Sequence, residues 1–203
     1  MTERETLDLY EKTGALMHGH FRLTSGLHSE VYLQSALVLQ YPEHAAALGA
    51  ALAASFREAG ATTVLAPAIG GIVVAHEVAR ALGTRALFTE RESGRSADAP
   101  AGSADAPAIM RLRRGFALTP GERCLVVEDV ITTGGSTREV ITCVQELGGV
   151  VVGVGSLIDR SGGSATFPVP HVALATITAT NYSPERCPLC RAGSQAIKPG
   201  SRV

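Results

Sequence analysis

The chain has 203 residues, of which 45% are hydrophobic and 18% charged, and its formal net charge is −1. This composition is typical of a globular protein and argues against a disordered chain. The nearly balanced charge argues against a bulk nucleic-acid binder, for which we would expect an excess of basic residues.

Nothing in the sequence indicates a membrane or secreted protein. It contains no run of 18 apolar residues, and its first six residues lack the basic and apolar segments of a signal peptide. Four cysteines without a dense framework fit a reducing compartment, so we expect a cytoplasmic protein. The length favours one domain spanning residues 1–203.

Residues 1–40 are predicted to contribute a small N-terminal hood. A capping-box pattern at the start predicts a helix over residues 3–16. A polar, turn-rich stretch at residues 19–29 leads into an extended run at residues 31–34. The alanine-rich segment at 42–59 predicts a second helix, with a proline in its first turn.

From residue 62 onward, predicted strands alternate with predicted helices. The strands are expected at 62–66, 85–89, 124–128, 150–158 and 171–178, and the helices at 71–82 and 136–147. The strands are apolar runs rather than alternating patterns, which is typical of a parallel sheet covered on both faces. We therefore predict an α/β fold with a largely parallel, doubly wound sheet.

Residues 93–109 do not fit this core pattern. Ser96–Ala101 and Ser103–Ala108 repeat the sequence SADAPA, which has no aromatic or β-branched residue. We predict a mobile, low-complexity surface loop inserted between two extended pieces. The loop is either an active-site lid or a solvated charged hairpin, and flanking arginines favour the lid. These arginines are Arg91, Arg95, Arg111, Arg113 and Arg114.

The strongest chemical signal follows the predicted strand 124–128. Two acids end the strand, and a loop rich in threonine and glycine leads into a helix with a capping box. Such a loop cradles an anion, because glycines permit close approach and the helix N-terminus adds positive potential. The alternative is an ordinary glycine-rich turn that follows a strand ending in acidic residues. The candidate residues are Glu128, Asp129, Val130, Ile131, Thr132, Thr133, Gly134, Gly135 and Ser136.

Two further features are expected at the same sheet edge. The loop Ala68-Ile69-Gly70-Gly71 joins a strand to a helix, so its amides can face a second anion, although a plain turn would look similar. Arg160 ends a long apolar strand, and its planar guanidinium suits a carboxylate. A salt bridge to Asp159 is the alternative for Arg160.

These motifs resemble those of the orotate phosphoribosyltransferases, which are type I phosphoribosyltransferases. The strand, acid pair and Thr/Gly loop are similar to the family's ribose-5-phosphate signature. Phe21–Tyr32 is similar to its N-terminal F-x-L-x-S-G-x-x-S-x-x-Y/F region, and Ala66–Ile72 to its pyrophosphate loop. Arg160 sits where the family has a late strand ending in arginine. Four motifs in the family's order span Phe21 to Arg160.

The resemblance implies a substrate and a role for each motif. Glu128 and Asp129 would hold the ribose hydroxyls of 5-phosphoribosyl 1-diphosphate, residues 132–136 its 5-phosphate, and residues 68–71 its diphosphate. Arg160, Thr132 and the hood residues Thr24, Ser25 and Gly26 would bind orotate. The implied cofactor is Mg²⁺, bound through the diphosphate and ribose with the two acids as indirect ligands, and the implied assembly is a homodimer.

The sequence departs from the family where positive charge is expected. Many members have a lysine at the position of Gly70 and often another at Thr24. The mobile loop's usual lysine and histidine also lack clear counterparts. Arg91, Arg113 and Arg114 are our candidates for the missing catalytic cations.

Two rival functions follow from these departures. One is a phosphoribosyltransferase for another base, such as a purine or uracil, although an uncharged base gives no reason for Arg160. The other is a non-catalytic regulator that senses 5-phosphoribosyl 1-diphosphate. The intact acid pair and loop argue against this regulator.

The histidines and cysteines raise the question of whether the chain binds a metal. His18, His20 and His28 crowd the hood, but their spacing matches no common metal motif. The tail, residues 182–203, contains Cys187-Pro-Leu-Cys190, which could be half of a zinc site, a redox pair or a structural element. The sequence favours a structural role for this pair. Cys124 and Cys143 are predicted to be small core residues.

Overall fold

The computed structural model describes residues 1–92 and 109–199. The N-terminal part contains the helices α1 (Glu3–Lys12), α2 (Ala36–Leu39) and α3 (Pro42–Ala54), and the strands β1 (Leu16–Arg22) and β2 (His28–Leu33). The Thr2 side chain and the Glu5 carboxylate close the predicted capping box at the start of α1.

A six-stranded sheet forms the centre of the molecule. Its members are β3 (Thr63–Pro67), β4 (Arg85–Glu92), β5 (Ile109–Leu112), β6 (Arg123–Ile131), β7 (Val150–Asp159) and β8 (His171–Thr176). Their order is β5-β4-β3-β6-β7-β8, and every neighbouring pair is parallel except β4 with β5. Helix α4 (Gly71–Leu82) follows β3, and α5 (Gly135–Glu146) follows β6.

Helices cover both faces of this sheet. On one face, Val64 and Leu125 pack in a buried cluster with residues of α1, α3 and α4. On the other face, Leu65 and Val126 pack against α5. Successive residues of a strand point to opposite faces, so a strand covered on both sides must be apolar throughout. The prediction of a largely parallel, doubly wound sheet is confirmed.

A separate antiparallel sheet forms the hood. Strand β2 lies between β1 and β9 (Asn181–Tyr182), so the hood combines N-terminal residues with part of the tail. The tail continues through α6 (Pro188–Arg191), and the backbone of Ile197 exchanges hydrogen bonds with β1 at His20 and Arg22. The small hood predicted from the first forty residues is therefore completed by residues far away in the chain.

Several predicted boundaries were wrong. The first helix ends at Lys12, because Thr13 caps it and Gly14 takes a left-handed conformation (φ +69°). The predicted turn region contains β1, a strand that pairing with β2 stabilises despite its polar sequence. The second helix ends at Ala54 and is followed by a short 3₁₀ turn at Arg57–Ala59.

The predicted loop between two extended pieces is flanked by β4 and β5, which pair antiparallel. The predicted mobility of residues 93–109 falls outside the described residues, apart from Ile109 in β5.

Candidate active site

The predicted anion-binding loops meet at one edge of the sheet. Strands β3, β6 and β7 run parallel, so the loops that follow them emerge on the same side. Ile131 at the end of β6 lies opposite Asp159 at the end of β7, and the Arg160 amide donates to the Ile131 carbonyl at 2.8 Å. Thr132, the first residue after β6, is therefore placed next to Arg160.

The loop after β6 has the conformation of an anion cradle. Gly134 is the N-cap of α5 with φ +75°, and the amides of the first turn of α5 follow it. Thr132 and Thr133 are exposed at this helix end. Arg138 supports the loop from behind by donating to the Thr133 carbonyl at 2.7 Å, and it stacks on Phe167. A Cβ at Gly134 would lie 2.8 Å from the Phe167 ring, so this position requires glycine.

Glu128 is half-buried on β6. Burial raises its pKa to about 7, and the neighbouring Asp129 also raises it, whereas a hydrogen bond from Thr137 and the charge of Arg91 lower it. The Thr137 hydroxyl donates to Glu128 Oε2, which ties the acid to the first turn of α5. The remaining carboxylate oxygen is placed to accept from a sugar hydroxyl.

Asp129 faces the loop after β3. A Cβ added to Gly70 would lie 2.8 Å from Asp129 Oδ1 and 2.9 Å from Oδ2. Any side chain at position 70 would therefore displace this carboxylate, which gives a physical reason for the missing lysine there. The two residues also line a cavity of about 390 Å³ together with residues of α2 and α4.

The loop over residues 68–71 offers some of its amides to a ligand. The Ala68 amide donates to the Thr89 carbonyl at 2.8 Å and is therefore engaged. The amides of Ile69, Gly70 and Gly71 have no hydrogen-bond partner among the described residues. They stand at the N-terminus of the twelve-residue helix α4, where an anion is stabilised.

Arg160 is half-buried and has no carboxylate partner within residues 1–92 and 109–199. Its Nη2 donates to Asn181 Oδ1 at 2.9 Å and to Ser29 Oγ at 3.3 Å, and its buried Nε has no hydrogen-bond partner there. Burial lowers the pKa of Arg160. The alternative salt bridge to Asp159 is not formed, because that carboxylate accepts from the Ser161 amide instead. A desolvated guanidinium with an unused donor is suited to an anionic ligand.

The hood reaches Arg160 through residues that sequence reasoning missed. Ser29 belongs to the quoted hood motif but was not among the candidates, and Asn181 lies in the short strand β9. The predicted residues Thr24, Ser25 and Gly26 form the exposed tip of the β1–β2 hairpin, where Gly26 has φ +84°. Their contact with orotate stays a prediction.

Comparisons with known proteins agree with this geometry. Residues 37–179 match the family model described as the phosphoribosyl transferase domain. The chain is 53% identical to the orotate phosphoribosyltransferase of Desulforamulus reducens, over 100% of this chain and 98% of that one. It is 48% identical to the protein of that name from Thermotoga petrophila, over 96% and 97% of the two chains.

The chain belongs to the orotate phosphoribosyltransferase family.

Solved structures show the same fold. The crystal structure of the orotate phosphoribosyltransferase from Aeropyrum pernix has a TM-score of 0.64 at 27% identity, over 83% of this chain and 92% of that one. An adenine phosphoribosyltransferase from Rhodothermus marinus has a TM-score of 0.63 at 21% identity, over 86% and 99%. The second likeness concerns the fold alone and carries no information about the base. Among the described helices, none is long and apolar enough to cross a membrane.

The arginines proposed to replace the family's loop cations lie in different surroundings. Arg91 on β4 pairs with Glu139 of α5 at 2.9 Å and lowers the pKa of Glu128, so it acts electrostatically on the site. Arg114 pairs with Glu90 at 2.8 Å and lies over the Phe88 ring. Arg113 is exposed. Of the three arginines, Arg91 is therefore the one whose charge is shown to affect the pKa of a candidate site residue, Glu128. The catalytic role of all three stays a prediction.

The donor set at the sheet edge fits the Mg²⁺ ion implied by the family. Asp129 lines the cavity and Glu128 precedes it on β6, so the site offers carboxylate oxygens, and Mg²⁺ binds hard oxygen donors together with substrate phosphates. The amides at residues 69–71 and 134–135 lie on the loops to either side, where they can meet the phosphates.

Proposed function

We propose that this chain transfers the ribose 5-phosphate group of 5-phosphoribosyl 1-diphosphate to N1 of orotate. The products are orotidine 5-phosphate and pyrophosphate, and the reaction belongs to de novo UMP synthesis. The observation that carries the choice of base is Arg160, a half-buried guanidinium with an unpartnered Nε beside the phosphate-binding loop. Among the bases considered, orotate carries the carboxylate that such a group would bind.

The sugar phosphate would bind along the sheet edge. The loop Thr132–Ser136 and the N-terminus of α5 receive the 5-phosphate, while Glu128 and Asp129 accept hydrogen bonds from the ribose hydroxyls. The amides of residues 69–71 face the diphosphate. These contacts fix the ribose between two helix N-termini, so that both charged ends of the substrate are neutralised.

The reaction would need orientation more than covalent chemistry from the protein. The bond from C1 of the ribose to the diphosphate oxygen breaks, and its electron pair leaves with the diphosphate. The orotate N1 lone pair then forms the new bond at C1 and the N1 proton is released to solvent, while Arg160 fixes the ring through its carboxylate. Bound Mg²⁺ would supply charge neutralisation of the leaving diphosphate. Arg91 adds positive potential near Glu128 on the same side.

Assembly and location follow from the same proposal. A homodimer is expected because the loop after β4 resembles a family loop that reaches the neighbouring subunit. A cytoplasmic location is supported by the four cysteines, none of which forms a disulfide. Light scattering on the purified chain would measure the oligomeric state.

The activity is tested by mixing the purified chain with Mg²⁺, 5-phosphoribosyl 1-diphosphate and one base at a time. Loss of orotate absorbance that requires both other components supports the proposal. Turnover of adenine, hypoxanthine or uracil instead of orotate would move the chain to another base. Binding of the diphosphate substrate without turnover of any base would favour the sensor function.

The role of Arg160 is tested by Arg160→Ala. Losing a charge-assisted contact should lower kcat/KM for orotate roughly 10- to 100-fold. Binding of 5-phosphoribosyl 1-diphosphate, measured by calorimetry, should stay near the wild-type value. Arg4→Ala is the control, because Arg4 pairs with Asp8 at the exposed surface of α1 and should leave orotate turnover unchanged. Unchanged orotate turnover in Arg160→Ala would show that the assigned role is wrong.

A further inference from the structure

Four side chains from distant parts of the chain converge beneath the hood. His20 lies on β1, His28 on β2, and Cys187 and Cys190 in the tail around α6. One ligand atom of each residue lies within 4.8 Å of the others. His20 and His28 are each 6% exposed, Cys187 is fully buried and Cys190 is half-buried, so most of the cluster lies in the interior. It is separate from the candidate active site.

The distances within the cluster approach those of a tetrahedral metal centre. Cys187 Sγ is 3.5 Å from His20 Nε2, and Cys190 Sγ is 3.7 Å from His20 Nε2 and 3.3 Å from His28 Nδ1. Zinc bonded to thiolate and imidazole at its usual lengths places sulfur and nitrogen about 3.6 Å apart. The two histidine nitrogens are 2.8 Å apart, which is about 0.5 Å closer than two tetrahedral zinc ligands would be.

His20 is oriented as a metal ligand is. His20 Nδ1 lies 3.1 Å from the Ser194 carbonyl, an acceptor, so this nitrogen carries the proton. The unprotonated His20 Nε2 therefore presents its lone pair to the cluster, where His28 Nδ1 lies 2.8 Å away. A backbone carbonyl that fixes the tautomer in this way is the usual outer partner of a zinc-bound histidine.

We propose that His20, His28, Cys187 and Cys190 bind one Zn²⁺ ion. Two thiolates and two imidazoles in a closed, four-coordinate arrangement are the donor set of a structural zinc site, with no open position for substrate. The single Cys-x-x-Cys motif needs no second chain, because the hairpin histidines complete the ligand set.

The proposed ion would join the tail to the hood. His28 is next to Ser29, and β9 pairs with β2 at these two residues through Tyr182 and Asn181. Ser29 and Asn181 are the two side chains that contact Arg160. A metal bridge at this point would therefore hold the partners of Arg160 in place. The importance of this effect for orotate binding rests on the proposed function, whereas the binding of the metal is independent of it.

The test measures metal content rather than activity. The full chain is purified under reducing conditions, incubated with ZnCl₂, desalted and analysed by mass spectrometry for metal. We expect one zinc per chain, and in the Co²⁺-substituted protein the absorption of a tetrahedral ion with thiolate charge transfer. Cys190→Ser and His20→Gln should lose stoichiometric zinc, while the matched controls Cys143→Ser and His18→Gln should retain it.

Stability and thiol chemistry provide a second measurement on the unaltered chain. Removing zinc with a chelator should lower the Tm and speed tryptic cleavage after Arg191, and ZnCl₂ should reverse both effects. The proposal is overturned if the reduced wild-type chain retains no zinc or Co²⁺. It is also overturned if the ligand variants keep as much metal as the controls, or if peptide mapping finds a Cys187–Cys190 disulfide in the chain purified under reducing conditions and incubated with ZnCl₂.

Discussion

At the scale of single residues, the candidate site depends on ionisable groups that are partly buried. Arg160 and Glu128 are both half-buried at the same sheet edge. Burial lowers the pKa of Arg160 and raises the pKa of Glu128, which in each case favours the neutral form. Because a desolvated charge is costly until it is paired, such groups bind a complementary ligand strongly. The Thr137 hydroxyl donates a hydrogen bond to Glu128, and the Ser29 hydroxyl accepts one from Arg160. The remaining hydrogen-bonding capacity of both groups is left for substrate.

The raised pKa of Glu128 predicts a pH-dependent stability of the substrate-free protein. The folded chain holds this proton more tightly than the unfolded chain, whose carboxyl titrates near its ordinary value of 4.5. The resulting stabilisation is complete below pH 4.5 and is lost as the pH rises to about 7. The unfolding free energy of wild type relative to Glu128→Gln should fall by roughly 3 kcal/mol across this window.

Urea unfolding of both proteins at several pH values would measure this difference. Other titrating groups are common to the two chains and cancel. A difference that does not change between pH 4.5 and 7 would show that Glu128 titrates normally.

At the scale of elements, helices α3 and α4 approach each other closely on one face of the sheet. A Cβ at Gly49 of α3 would lie 2.5 Å from Glu77 Cβ and 2.9 Å from the Glu77 carbonyl carbon in α4. The glycine therefore sets the distance between the helices. The distance matters for the site, because α4 begins at the loop that faces the diphosphate in the proposed reaction.

This contact predicts the sign of a mutational effect. Helix propensity alone would make Gly49→Ala stabilising by about 1 kcal/mol. The clash with α4 backbone should instead make it destabilising by roughly 1–3 kcal/mol. Thermal unfolding measures the sign, and Ala50→Gly at the exposed next position isolates the propensity effect. A stabilised Gly49→Ala variant would mean that the helices separate without cost.

At the scale of the whole molecule, two sheets that we expect to differ in stability meet at the candidate site. The strands β3, β6 and β7 are interior to the six-stranded sheet and buried between two helical layers. The hood is a three-stranded sheet whose strands have seven, six and two residues. Arg160 joins them, since it directly follows β7 and donates to side chains of the hood.

Hydrogen exchange should reveal this difference. We expect amides of β3 and β6 to exchange by global unfolding, and those of β1 and β2 to exchange faster through local opening. Adding orotidine 5-phosphate should slow exchange in the hood, because an anion on Arg160 would order its partners. Mass spectrometry of peptides would follow both regions. Equal protection of the two sheets without ligand would contradict the expectation.

Some of this protein could be determined from the sequence by itself. Apolar runs separated by helical segments predicted the sheet, because a strand buried on both faces has no polar positions. The helix at Gly71–Leu82 begins and ends where the sequence predicted. The sequence also singled out the acid pair, the Thr/Gly loop and Arg160 as candidates, since each signal depends on residues adjacent in sequence, and their roles stay predictions.

Tertiary structure decided the features that combine distant segments. Strand β1 exists because it pairs with β2, the hood closes only with β9 from the tail, and Gly70 is restricted by a carboxylate 59 positions away. His20 and His28 meet Cys187 and Cys190 across more than 150 positions. Local patterns carry no information about such contacts, because the pairing of remote backbone segments, rather than residue spacing, brings these side chains together.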